Sequence, residues 1–405
     1  MKVRSKAPFA VALVGALALA ACGSSSSDDG KAAAGATATL SGEPIKIMSI
    51  QAMSGPSDTY PGLPAAVQAA AAAVNKAGGI KGRPLEVTVC DDQFDPNKGA
   101  DCATKAAQGK YLFVTANSST GDRYMPILEK AKIPSIGEVP SSVSELKSPY
   151  SFPFGSGAVN IAGGGTACGK LGKKDPAVAV VDIAAGRNSA SFFGIGLKPF
   201  NLSINKTVPI APTASDLTTA TATLTSGTTD CIDLVVGTTQ ATKLLLALSQ
   251  AGSKATPAYG ATVIEDKMVK TLGDAANGLV LVGSTPPASD TSIPAIKQFN
   301  AELDAAGVPA DTRSEGALTA WATVHLVAQY AQKLPTIDGE SLANALSTAG
   351  EINFSPLPKV DFSKSIKVLF EGNRIFTTAV YFSEIKNGTR TPLFDNTAFD
   401  VLTSS

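Results

Sequence analysis

IKIMSIQ (45–51), AMSGPSDTYPG (52–62), LPAAVQAAAAAVNKA (63–77), GGIKGR (78–83) and PLEVTVCD (84–91) stand in succession and decide the fold. The first segment alternates polar and apolar residues and then runs continuously apolar, the pattern of a strand entering a core. The alanine-rich segment predicts a helix, ended by the glycine pair at 78–79. PLEVTVCD predicts a second strand. DPNKGADCATKAAQ (95–108) opens the next helix, with Asp95 as its N-cap and Pro96 in the first helical position. Strand, crossover helix and strand make a βαβ unit, which builds a parallel sheet with a right-handed crossover. Ligands of such sheets bind beyond the carboxyl ends of the strands. The loop 52–62, with Ser54 and Tyr60, is therefore the first candidate wall of a binding site.

Working outward toward the C-terminus, the βα pattern continues and then repeats. YLFVTAN (111–117) predicts a third strand, MPILEKAK (125–132) a helix and IPSIGEVP (133–140) a fourth strand with its exit loop. SPYSFPFGSG (148–157) breaks the periodicity and marks a crossover near 154–157. Beyond it, AVNIAGGGTACGKLG predicts a helix, PAVAVVDI a strand, RNSASFFGIGLKPF a helix and KTVPIAP a strand. SDLTTATATLTS, CIDLVVGT, TQATKLLLALSQAG, PAYGA and GLVLVGST carry the alternation on. PPASD (286–290) marks a return crossover, followed by helices at 293–306, 315–333 and 339–349. RIFTTAVYFSEIKNGT alternates and turns at Asn387-Gly388, a hairpin ending. Two βα-repeating halves predict an α/β chain of two Rossmann-like lobes, each with a parallel-rich central sheet. A multi-strand hinge joins them and the ligand cleft lies between. The expected lobes are 44–155 plus 287–358, and 156–286 plus 359–405.

Toward the N-terminus, Lys2, Arg4 and Lys6 precede the apolar run 7–21, which ends in Leu19-Ala20-Ala21-Cys22. A basic start, a short apolar run and small residues before the cut make residues 1–21 a secretory signal. The run is short for a membrane span, which needs about 20 apolar residues. Leu-Ala-Ala-Cys resembles the bacterial lipobox, which implies cleavage before Cys22 and its lipidation. Residues 22–43, rich in serine, glycine and alanine, then form a flexible tether.

About 360 residues remain beyond the tether, enough for two domains with cores of their own. Lysine plus arginine and aspartate plus glutamate each number 34, a balance without the basic excess that nucleic acid demands. Of the five cysteines, Cys22 belongs to the lipidation motif. Cys90 ends the second strand and Cys102 lies in the following helix, while Cys168 and Cys231 fall together in mid-chain. Three pairings are open to four cysteines, and this placement favours Cys90–Cys102 and Cys168–Cys231. A metal site lacks both C-x-x-C spacing and an accompanying histidine.

The combination of SGP in the first loop, a small-residue helix, NKAGGIKGRPLEV (75–87) and DDQFDP (91–96) resembles the amino-terminal lobe of type I periplasmic binding proteins. The similarity is greatest to the leucine/isoleucine/valine-binding branch, the solute-binding subunits of ABC importers. That resemblance implies a monomeric binder without cofactor or metal. It would capture a small polar or amphipathic solute, amino-acid-like or carboxylate-bearing, and deliver it to an ABC permease and its ATPase. The protein would act outside the cytoplasmic membrane, held there by lipid alone.

The family places a carboxylate-binding serine in the loop after the third strand, here Asn117-Ser118-Ser119-Thr120. Hydroxyls and backbone amides at a helix start suit a carboxylate. After the fourth strand, Gly137 and Glu138 stand where the family supplies backbone and hydroxyl contacts, the glutamate replacing a smaller residue. From the second lobe come Arg187, Thr238, Thr239 and Tyr259. Arg187 lies in AAGRNS, which takes the place of the family's Tyr-Gly, and offers an alternative anion contact. Glu265 and Asp266 follow PAYGA by a few residues, in the region of the family's late acidic residue.

Two other readings carry different functions. A ligand sensor of the same fold would signal to a membrane partner. A secreted hydrolase would need a nucleophile and base, and the chain has no G-x-S-x-G. Its single histidine, His325, shares a helix face with Trp321 in EGALTAWATVHLVAQ, a packing position. DDQFD lacks the glycine and distal glutamate of a calcium loop. Gly163-Gly164-Gly165 follows no strand and completes no nucleotide-binding motif.

Overall fold

The computed structural model describes residues 40–54, 59–118, 120–137, 139–367 and 372–402, without the side chains of residues 184 and 185. The segment read as a signal, Cys22 and most of the segment read as a tether lie outside them. In the first lobe the elements are β1 (Ile45–Gln51), α1 (Gly62–Lys76), β2 (Leu85–Asp91), α2 (Pro96–Gly109) and β3 (Phe113–Asn117). They continue as α3 (Gly121–Lys130), β4 (Ser135–Ile136), α4 (Val143–Lys147) and β5 (Ser151–Phe152). The sheet order is β2-β1-β3-β4-β5, all parallel, so the strand order reverses between β1 and β3.

The second lobe repeats this winding. Its elements are α5 (Gly157–Lys170), β6 (Pro176–Val181), α6 (Ala184–Leu197), β7 (Lys206–Ile210), α7 (Thr218–Thr225) and β8 (Cys231–Val235). Then come α8 (Thr238–Gln250), β9 (Thr256–Gly260), α9 (Asp266–Leu272) and β10 (Val280–Gly283). The chain returns to the first lobe with α10 (Pro294–Ala305), α11 (Glu315–Ala331), α12 (Gly339–Ser347), and the short pair β11 (Glu351–Ile352) and β12 (Val360–Asp361). It ends on the second lobe with β13 (Ala379–Lys386), β14 (Thr389–Pro392) and β15 (Phe399–Asp400). The second sheet runs β14-β13-β10-β9-β8-β6-β7, with β13 antiparallel to β10. Its parallel part reverses between β6 and β8, as the first sheet does between β1 and β3.

Local sequence explains the elements. Asp95 caps α2, accepting from the N–H groups of Asn97 and Lys98, with Pro96 just inside. The α1 face built of Ala66, Val67, Ala69 and Ala70 is buried in one core with Leu318, Trp321 and Val324 of α11. Small side chains there let the two helices approach closely. Asn387-Gly388 turns β13 into β14, both residues with positive φ, as a two-residue hairpin requires.

The segment 148–157, expected to break the periodicity, holds a short strand: β5 adds an edge to the first sheet. Just before it, Ser142 and Glu145 form a reciprocal capping box that starts α4. Where the chain crosses between lobes, Phe362 packs edge-on against Phe152, Phe154 and Phe376, with ring centroids 5.1, 5.4 and 5.0 Å away. The Arg374 guanidinium lies 4.5 Å from the Phe376 ring centre and donates to the Ser151 carbonyl at 2.8 Å. The crossing is thus a packed aromatic joint. The structure pairs Cys90 with Cys102 and Cys168 with Cys231. Among the described residues no helix is long and apolar enough to cross a membrane.

Candidate functional site

Two adjacent aspartates build the first-lobe loops. Asp91 ends β2 and accepts from the N–H groups of Met53, Ser54 and Gln93 and, at 2.5 Å, from the Ser54 hydroxyl. Burial pushes the Asp91 carboxyl up, but these donors outweigh it and hold it below the usual carboxylate range. Asp92, fully buried, accepts from the Ser118 hydroxyl, from Thr120 Oγ1 at 2.8 Å and from the Phe94 N–H at 3.3 Å. Thr120 N–H in turn donates to Ser118 Oγ at 3.2 Å. The loops after β1 and β3 are therefore tied to one point, the carboxyl end of β2.

Between the lobes lies a cavity of about 20 Å³, room for roughly one water molecule. Its first-lobe wall includes Gln51, Asn117, Gly137 and Val139, and Glu315, Gly316 and Thr319 from the start of α11. Thr262, Ser284 and Thr285 close it from the second lobe and the crossing segment. Gly137 has φ +81°, and a Cβ there would meet the Thr323 hydroxyl at 2.2 Å, so glycine alone fits.

Contacts across the cleft hold the lobes together. The Gly316 N–H donates to the Thr262 carbonyl at 2.9 Å. Tyr60 and Thr238 hydroxyls meet at 3.2 Å. Glu315, buried, receives Arg390 Nη1 on both oxygens at 2.6 and 2.5 Å, and Arg390 also donates to the Ile264 carbonyl. Burial disfavours the Arg390 charge, yet Glu315 and Asp266 more than offset this and keep it protonated. Glu265 lies against Gly62 at the start of α1, and its Oε1 is buried without a hydrogen-bond partner. Burial pushes its carboxyl up to about 7.

The expected site residues divide by location. Asn117 and Gly137 line the cavity. Tyr60, Thr238 and Thr239 line a neighbouring groove at the cleft mouth that also holds Glu265. Ser54, Ser118 and Thr120 face the two aspartates and shape the loops. Arg187 pairs with Asp182 on the exposed surface. Tyr259 is buried in the second-lobe core and donates to the Val236 carbonyl at 3.0 Å. Ser119 and Glu138 lie outside the described residues. Gln51, Thr262, Thr285 and Glu315 were not foreseen. Gln51 carried a signal, a polar residue closing an apolar strand at its carboxyl end, whereas Glu315 reaches the cleft only because α11 returns to the first lobe.

His325 and Trp321 sit elsewhere. Trp321 Nε1–H donates to Glu302 Oε2 at 2.6 Å, and His325 Nε2 contacts the same oxygen at 2.8 Å. Burial raises the Glu302 carboxyl, but bonds from His325, Gln298 and Trp321 outweigh it and hold it low. The cluster fastens α10 to α11. Among the described residues no group of His, Cys, Asp and Glu side chains could hold a metal ion.

A two-lobed α/β body with its cavity at the carboxyl ends of both sheets defines a cleft-type binding protein. The sequence profile of the family described as periplasmic binding protein matches residues 44–390, and the chain belongs to that family, in its type I form. Membership makes it a binding protein of transport rather than an enzyme, and places it outside the cytoplasm. No curated protein sequence matches it. Among solved structures it resembles a fatty acid ABC transporter substrate-binding protein from Thermomonospora curvata, at 20% identity and TM-score 0.74, over 90% of this chain and 94% of that one. A branched-chain amino acid transporter substrate-binding protein from Streptococcus pneumoniae, in complex with isoleucine, matches at 18% identity and TM-score 0.72, over 86% and 98%. An ABC transporter solute-binding protein from Rhodopseudomonas palustris, in complex with 3,4-dihydroxybenzoic acid, matches at 18% and 0.72, over 89% and 98%. At these identities the likeness is one of fold.

Proposed function

We propose that this chain is a lipid-anchored, monomeric solute-binding protein of an ABC importer. It captures a small polar or amphipathic solute, amino-acid-like or carboxylate-bearing, between its lobes and hands it to a permease with its ATPase. The observation that carries this reading is the cavity between the carboxyl ends of both sheets, where open parallel sheets place their ligands. Its 20 Å³ hold no solute of several heavy atoms, so entry requires the lobes to part about the aromatic joint and close again. Asn117 and Gly137 then face the solute from the first lobe and Thr262 from the second. Tyr60, Thr238 and Thr239 guard the mouth. The aspartate-bound Ser118 and Thr120 act by fixing the loop rather than by reaching inward.

A thermal-shift screen of amino acids, amides, short-chain acids and aromatic acids tests this reading. A bound solute at a hundredfold excess over its dissociation constant stabilises by about 2.7 kcal/mol, a rise of a few degrees for a body of this size. Asn117→Ala should weaken the hit by roughly tenfold while leaving the melting temperature of the free protein nearly unchanged. A flat response to every class would sink the proposal.

A further inference from the structure

Gln51 closes β1 at its carboxyl end, in register with Asp91 on β2 and Asn117 on β3. Its side chain is 1% exposed. The amide Nε2 donates to Ser49 Oγ at 3.3 Å, two residues back on the same strand face. The carbonyl Oε1 is buried and has no hydrogen-bond partner. From the crossing segment after β10, Thr285 brings a second such atom, its Oγ1 buried and also unpartnered. Both residues line the inter-lobe cavity. Buried polar groups in folded proteins are nearly always paired, because leaving one unpaired forfeits its hydration with no return. Two residues that line one cavity each carry an unpaired buried polar atom, which points to a group that comes and goes.

We infer that Gln51 is a specificity-determining residue whose carbonyl accepts a hydrogen bond from a donor on the solute, with the Thr285 hydroxyl as second partner. This rests on the solute-binding reading above. An amide carbonyl oxygen accepts and cannot donate, so the group that meets it carries a proton: a hydroxyl, an amide N–H or an ammonium. A methyl or an ionised carboxylate in that place would leave Oε1 unpaired, and a carboxylate would add repulsion. Thr285 can donate or accept, so it tolerates either partner. The solute class is thereby narrowed to molecules with a hydrogen-bond donor at the end that enters this cavity. Any carboxylate they carry turns away from Gln51.

Calorimetric titration with matched probes tests this: leucine against 4-methylpentanoate, 4-hydroxybenzoate against benzoate, and 12-hydroxydodecanoate against dodecanoate. In at least one pair the donor-bearing member should bind the unmodified protein roughly tenfold more tightly than its twin. Gln51→Leu should bring that ratio near one, and Thr285→Val should lower it less. Gln51→Leu should also leave the melting temperature of the free protein unchanged or raised, since an unpaired buried acceptor is removed. If the pair still differs in Gln51→Leu as in the parent, solute binding stands and the role of Gln51 falls. If Gln51→Leu lowers the melt and leaves affinities alone, the carbonyl serves a resident water that builds the fold, and the inference is overturned. If no probe binds the parent protein at about 10 mM, this inference and the solute-binding reading fall together.

Discussion

Asp92 in the first lobe and Asp233 in the second are both buried, and their surroundings differ sharply. Asp92 stands just past the carboxyl end of β2 and takes hydrogen bonds from Ser118, Thr120 and Phe94. Asp233 lies within β8, under the glycine run of α5, where a Cβ on Gly164 would meet its carboxyl carbon at 2.6 Å. Its Oδ2 has no partner, and burial pushes its carboxyl well above the usual range. The disulfides follow the same division. Cys90–Cys102 joins the end of β2, next to Asp91 and Asp92, to α2, whereas Cys168–Cys231 ties the end of α5 to the start of β8, the end of that strand away from the cleft. One winding rule therefore yields two different lobes. The first has an electrostatic anchor at its carboxyl end, which fixes two cleft loops. The second is held by helix–sheet packing, and its cleft side is shaped by Thr262, Glu265 and the Arg390 pair.

Removing the disulfides one at a time should separate these roles most strongly. Cys168 and Cys231 enclose a long loop, and replacing both by alanine should cost about 4 kcal/mol in chemical denaturation while solute affinity stays as it was. Replacing Cys90 and Cys102 should cost less, about 3 kcal/mol, and should also weaken binding, because Asp91 and Asp92 adjoin Cys90. Equal effects of the two pairs on affinity would erase the distinction.

The aspartates should respond in opposite directions. Asp92→Ala leaves three donors unpaired at a buried site and should lose about 3 kcal/mol, along with the order of residues 117–120. Asp233→Asn should gain about 1 kcal/mol at neutral pH. The sign follows from the raised folded-state pKa of Asp233. Its contribution is fully present below the unfolded value and is lost as pH rises, so the neutral isostere should flatten the stability profile above about pH 4. A destabilised Asp233→Asn with an unaltered profile would show that the carboxyl is paired and ionised after all.

A smaller effect belongs to the cleft mouth. Glu265, raised to about 7 between the lobes, faces the Gly62 N–H, Lys267, Asp311 and Arg390, with Asp266 adjoining it. Parting the lobes hydrates it and returns it toward 4.5, so closure takes up a proton. Closure, and with it solute affinity, should therefore strengthen several-fold as pH falls from 8 to 6, less than the full displacement implies because solvent in the groove screens part of it. Glu265→Gln should remove that dependence. Titrations at both pH values with each protein decide the matter, and a pH effect that survives in Glu265→Gln would assign it to another group.

The elements that sequence made legible share one property, that their signal is local. The alternation in 45–51, the alanine face of α1, the Asp95-Pro96 start of α2 and the Asn387-Gly388 turn each depend on neighbours within a few residues, and each stands where it was expected. Sequence pattern also located the loops at the strand ends, because a parallel sheet brings all its carboxyl ends to one side. It could not say which side chains in those loops face the cleft. Ser118 and Asn117 are adjacent and equally polar, yet Ser118 turns to Asp92 while Asn117 lines the cavity. The direction depends on a carboxylate many residues away.

By itself, then, the sequence determined the winding of both lobes and the neighbourhoods in which a solute could lie, because periodicity and capping are properties of consecutive residues. Only the tertiary structure decided the membership of the cleft. Glu315 and Thr285 come to it from segments that return after the second lobe is built, and Tyr259 leaves it for the core. Such choices follow from which buried polar atom finds a partner, and that depends on contacts between segments far apart in the chain.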